Sequence, residues 1–149
     1  VKEGRVAHNI NEVIQKCKGE LIKIMWDDDW FSHPNALKDM VEGAKGHWLI
    51  TGCNNHPHPY WNDDIRRGYN TLGGLSTILF KNENVLYFDE EMDWLLDVDW
   101  YHRMNESFGP PTILDSVNVN IGVGEHQLTN QLNNEDRSRE EALTKLKYD

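Results

Sequence analysis

Cysteine is scarce: Cys17 and Cys53 are the only two in 149 residues, which allows one bridge at most and excludes the disulfide framework of a small secreted scaffold. No tract of low complexity, internal repeat or Pro/Gly/Ser-rich linker interrupts the chain, so nothing marks a domain boundary inside it. Basic residues are outnumbered, with 15 Lys and Arg against 25 Asp and Glu and a formal net charge of -10. Such a balance argues against a nucleic-acid partner or an anionic lipid surface. Apolar stretches such as Leu49-Ile50 and the interrupted run from Leu75 to Phe80 fall far short of the roughly 20 residues of a membrane span. The polar N-terminus carries no signal-peptide pattern. These absences lead to the expectation of a soluble, cytoplasmic chain built around one core. Also missing are the Gly-x-Gly-x-x-Gly fingerprint, the P-loop, the Gly-x-Ser-x-Gly elbow and the His-Glu-x-x-His helix, and the enzyme classes they mark lose support.

What the chain does have is six tryptophans beside its surplus of aspartate. Apolar residues Val6, Ile10, Val13, Ile14 and Cys17 recur at helical spacing and predict an amphipathic helix, ended by Lys18-Gly19. Leu21 to Trp26 has strand length and runs into Asp27-Asp28-Asp29. A second helix opens at Ser32 or Asn35 and carries Leu37, Met40 and Val41 before Gly43 and Gly46. His47–Thr51 and Leu75–Phe80 read as strands, and the segment from Gly52 to Asn70 as a long surface loop. A helix is expected over Leu95–Asn105. Strand signals follow at Thr112-Ile113-Leu114 and from Val117 to Val123, and then a weakly helical, frayed end from Arg139 to Tyr148. Alternating helices and strands place the chain in the α/β class.

Three places have the composition for chemistry. Asp27-Asp28-Asp29 follows a predicted buried strand, where open α/β sheets bind ligands. Adjacent carboxylates need compensating positive charge, and hard cations such as Mg²⁺ or Mn²⁺ supply it. In an extended backbone Asp27 and Asp29 would face one ion while Asp28 turns aside; a solvated acidic turn or a helix N-terminal charge fits the same triplet. The second place is Phe88 to Trp100, five of whose carboxylates surround apolar residues. A desolvated Asp there suits a general base, and a tryptophan suits stacking on a sugar or base, although Trp94, Leu95, Val98 and Tyr101 also make an ordinary buried helix stripe. The third is histidine. His47, Cys53, His56 and His58 suggest zinc but lack paired ligand spacing, while His126, in a glycine-containing loop, is a candidate to complete a metal shell begun by Asp27 and Asp29.

Taken in order, Lys18-Gly19-Glu20-Leu21-Ile22-Lys23-Ile24-Met25-Trp26-Asp27-Asp28-Asp29-Trp30-Phe31, His33-Pro34-Asn35-Ala36-Leu37, Gly73-Gly74-Leu75-Ser76-Thr77, Phe88-Asp89-Glu90 and Trp94-Leu95-Leu96-Asp97-Val98-Asp99 resemble the family 2 glycosyltransferases. The resemblance covers roughly residues 5 to 132, leaving 133–149 as a polar C-terminal helix or tail. It implies a GT-A-like, Rossmann-related mixed sheet flanked by helices. It further implies a nucleotide-sugar donor, a carbohydrate or other hydroxyl acceptor, Mn²⁺ or Mg²⁺ as cofactor, and an inverting sugar transfer. By resemblance, Asp27, Asp29 and His126 hold the metal; Asn9, Asp27 and Asp28 meet the donor; Gly73, Gly74 and Trp94 border the acceptor; and Asp97 is the base. Leu96 stands where many members carry an acid, which leaves Asp99 as the fallback. The family's first strands, which bind the nucleotide base, have no counterpart before Val6. The expectation is therefore an acceptor-side portion of such an enzyme that self-associates to cover exposed sheet edge, with a non-catalytic carbohydrate-binding or interaction module as the alternative.

Overall fold

The computed structural model describes residues 5–125 and 127–149. The fold is α/β, a mixed five-stranded sheet with helices on both faces. Helix α1 (Val6–Lys16) leads to strand β1 (Leu21–Lys23), the acidic triplet and the short strand β2 (Trp30–Phe31). Helix α2 (Ala36–Gly43) and strand β3 (Trp48–Cys53) follow, then a long connection with a 3₁₀ turn at Asp63–Arg67. A second 3₁₀ turn (Leu75–Thr77) enters strand β4 (Ile78–Lys81); helix α3 (Leu96–Phe108), strand β5 (Thr112–Asn120), the short α4 (Leu128–Gln131) and α5 (Asn134–Tyr148) complete the chain. Sheet order is β1-β4-β3-β5-β2, with β3 parallel to β5 and every other pair antiparallel.

Two-residue alternation along β3 and β4 explains the layering, because successive side chains leave opposite faces of a strand. Trp48, Ile50, Ile78 and Phe80 enter the larger core with Ala7, Ile10 and Ile14 of α1 and Trp100, Tyr101 and Met104 of α3. Leu49 and Leu79 point the other way, onto Met40 of α2. Trp100 organises the larger core: its ring stacks on Phe88 at 5.1 Å and meets Trp48 edge-on at 5.8 Å, and its indole N–H donates to the Leu86 carbonyl at 2.7 Å. Aromatic burial of this kind needs the polar handle satisfied, and here it is.

Several local expectations change. The buried strand predicted for Leu21–Trp26 is a three-residue strand at the sheet edge. Val13, expected inside α1, is 59% exposed, and Ala7 and Asn11 take the inward positions beside Ile10 and Ile14. Asn11 is tolerated there because its side-chain amide copies a strand neighbour, donating to the Phe88 carbonyl at 2.9 Å and accepting the Phe88 N–H at 2.8 Å. The segment from Gly52 to Asn70 is anchored as well as exposed: Ile65 is fully buried, and Thr71 Oγ1 just beyond donates to the Tyr60 carbonyl at 2.6 Å. The two strand signals near the C-terminus belong to one strand, whose register on β3 jumps between Leu114 and Val117. Gly52 sits at that jump because a Cβ there would lie 2.5 Å from the Pro57 carbonyl oxygen. Finally, the expected frayed end is a docked helix, with Glu140 and Thr144 buried against the body.

Candidate functional site

Beyond β1 the chain leaves the sheet and folds into a turn, closed by the Asp29 N–H donating to the Trp26 carbonyl at 3.2 Å. Asp27 and Asp28 occupy that turn, so the triplet is not extended as expected, and all three residues line one cleft of about 350 Å³. A close backbone approach fixes the turn: a Cβ on Gly122 would lie 2.2 Å from the Asp28 carbonyl oxygen, so only glycine fits there. The Gly122 N–H donates to Asp29 Oδ1 at 2.9 Å, while Asp29 Oδ2 is buried with no hydrogen-bond partner. A buried carboxylate oxygen without a donor is costly.

The same cleft is also lined by Gly74, Leu75, Asp93, Trp94, Leu96 and Asp97. Asp97 belongs to the first turn of α3; its Oδ1 accepts the Val98 N–H at 2.8 Å and its Oδ2 accepts Asn70 Nδ2 at 2.9 Å. Burial pushes its carboxyl up to about 6, against the opposing pull of those hydrogen bonds. Asp93 is likewise raised, first by burial and then by the nearby Glu140 charge. Asn70 is held in turn: its Oδ1 accepts the N–H groups of Leu72 and Gly73, both at 3.0 Å. Gly73, at φ 100°, stays behind the wall and accepts from the Tyr101 hydroxyl at 2.9 Å, whereas a Cβ at Gly74 would meet nothing within 4 Å. Trp94 forms a wall of the cleft, with the Arg137 guanidinium 5.3 Å from its ring centre. Trp26 borders the same space from the acidic side and is 37% exposed. Beneath it Lys23 bonds the carbonyls of Ile24 and Ser76. Burial lowers its ammonium to about 7, with the Asp29 charge pulling the other way.

The structure thus brings together Asp27, Asp28, Asp29, Gly74, Trp94 and Asp97, and it separates others. Asn9 lines an adjoining apolar groove of about 340 Å³ that shares Val6 and Trp26 with the cleft. Asp99, the fallback base, is 1% exposed, and its oxygens are taken by Arg103, Lys147 and Tyr148; it stabilises the α3–α5 contact and is unavailable to a substrate. His126 lies outside the described residues, and its neighbour Gln127 lines the cleft. The zinc suggestion dissolves: His47 stacks on Phe108, His56 contacts the Thr71 carbonyl, His58 contacts Asp115, and Cys53 Sγ faces Asn55. Among the described residues no group of three His, Cys, Asp or Glu side chains is placed to hold a metal unaided. Two participants escaped the sequence reading. Asn70 sits in a segment read as featureless loop, where its three-residue spacing to Gly73 was the available sign of an Asx turn. Glu140 sits on a helix too polar to advertise an inward face.

No family model, no curated protein and no solved structure matches the chain.

Proposed function

We propose that this chain is a metal-assisted, inverting glycosyltransferase of the family 2 type, or the acceptor-side portion of one, that moves a sugar from a nucleotide-diphosphate donor to an acceptor hydroxyl. One observation carries the reading: an acidic triplet and an Asp of raised pKa, far apart in sequence, line the same cleft together with Gly74 and Trp94. The residues fit a divalent cation, since Asp29 Oδ2 is buried and unpartnered and Asp27 and Asp28 stand beside it. Asp27 and Asp29 would hold Mn²⁺ or Mg²⁺, which commonly takes one or two carboxylates and leaves its other positions to water and substrate phosphate. When bound, the ion supplies neutralisation of the charge that develops on the departing diphosphate.

The protein's own groups supply the rest. With its midpoint near 6, Asp97 is mostly ionised at neutral pH and remains basic enough to take the acceptor hydroxyl's proton onto a carboxylate oxygen. Asn70 and the Val98 N–H each occupy part of one oxygen and hold the carboxylate in place. Trp94 and Trp26 offer apolar faces for a sugar ring, and Gly74 leaves the room a side chain would fill. With Asp97 as the base and the departing diphosphate at the acidic triplet, attack on the anomeric carbon from the face opposite the leaving group would invert it.

Calorimetry with UDP and GDP, with and without Mn²⁺, tests the site. Binding is expected to require the ion and to weaken by more than about tenfold in Asp29→Ala and Asp27→Ala. Metal-independent binding, equal in wild type and variants, would overturn the assignment. A panel of UDP-, GDP- and dTDP-sugars then tests the reaction, and turnover there excludes a purely carbohydrate-binding role.

A further inference from the structure

The carboxylate of Glu140 is fully buried and lies at the root of the cleft wall although it comes from α5. Its Oε1 accepts the N–H of Asp93 at 2.8 Å, and its Oε2 accepts those of Trp94 at 2.8 Å and Leu95 at 2.7 Å. These three amides immediately precede α3, whose N-terminal boundary residue, Leu95, has no side-chain cap of its own. A helix N-terminus leaves its N–H groups without partners and favours a negative charge there. Asp93, Trp94 and Asp97, which this short backbone segment carries, all face the cleft. The other end of α5 grips the same acidic region, with Lys147 on Asp89 and on Asp99, the latter at 3.0 Å. Side chains of one helix therefore bracket the segment from 89 to 99.

We propose that Glu140 is a positioning residue for the cleft, an in-chain anion that sets the backbone of residues 93–95 and through it the placement of Trp94 and Asp97. It touches no substrate itself. The proposal rests on the reading of Asp97 as the base only for its catalytic consequence; the structural claim is measurable without turnover. Asn70, the N–H groups of Asp97 and Val98, and the Glu140 charge act on the Asp97 carboxyl, and the buried Tyr101 hydroxyl feels the Asp97 charge in turn. Replacing Glu140 by a neutral residue removes a like charge, which lowers the Asp97 carboxyl.

The test uses the full chain, with site-resolved ¹³C titration of the Asp97 carboxyl and hydrogen exchange at the amides of residues 93–95. In the wild type those three amides are expected to exchange at rates close to those of the β3 amides. In Glu140→Gln they are expected to exchange more than about tenfold faster while β3 stays protected, and the Asp97 midpoint is expected to fall below its wild-type value. Glu140→Asp, which keeps the charge on a shorter arm, should recover part of both signals. Unprotected 93–95 amides in the wild type overturn the proposal without any variant, as does an Asp97 midpoint that Glu140→Gln leaves in place. A chain that meets these expectations yet transfers no sugar refutes the glycosyltransferase reading and leaves the role of Glu140 standing.

Discussion

At pH 7 the Asp97 carboxyl carries a charge in surroundings that disfavour it. Its midpoint is about 6 in the folded chain and about 3.9 in an unfolded one. The native state therefore holds the proton more tightly, and stability falls as pH rises from about 4 to about 6. Asp97→Asn removes that cost and is expected to stabilise the protein by about 1 to 2 kcal/mol at pH 7. The gain should vanish below pH 4, where the wild type is itself neutral. The same substitution should lower sugar transfer by about 10² to 10⁴-fold, and the wild-type rate should rise with pH through an acid limb near 6. Thermal melts at the two pH values, set beside a rate profile, check all of these. A variant that is more stable and inactive would mark Asp97 as a group kept for its chemistry.

Among the elements, α1 and the 88–99 segment are joined by an unusual fastening, the paired hydrogen bonds between the Asn11 amide and the Phe88 backbone in a buried setting. Asn11→Ala leaves the Phe88 N–H and carbonyl buried without partners. It is expected to cost about 2 to 3 kcal/mol, read as a lower urea midpoint with an unchanged slope. Legibility in the sequence differed by element for physical reasons. The helices α1, α2 and α3 declare themselves because each buries a stripe against a sheet. Helix α5 does not, since what it buries is Glu140 and Thr144, and no hydropathy pattern registers a carboxylate whose partners are backbone amides. Asn70 is hidden for a related reason: its value lies in an Asx turn whose partner, Asp97, comes from another element. Val13 misleads because helical periodicity fixes a stripe without fixing which edge of it meets the core.

For the whole molecule, the α/β class followed from the alternation of elements, while the mixed sheet was expected only through the resemblance, because strand direction depends on connections that leave no periodic trace. The order β1-β4-β3-β5-β2 leaves β1 at one margin of the sheet, next to an apolar groove bordered by Val13, Met25 and Trp26. Val13 is 59% exposed there. An open strand margin with apolar surface beside it favours pairing with another chain. The expected outcome is concentration-dependent self-association in light scattering, weakened by a charge at Val13; a monodisperse monomer at high concentration contradicts it.

The reach of Glu140 also sets an order of events during synthesis. The acidic triplet, Asn70 and Asp97 all leave the ribosome before α5 does, so the sheet and its aromatic core have time to form while the amides of residues 93–95 still face water. Only when α5 arrives does the wall beneath Trp94 acquire its anion. The cleft is thus finished later than the sheet, and a nascent chain halted short of Glu140 would lack the group that sets its binding wall.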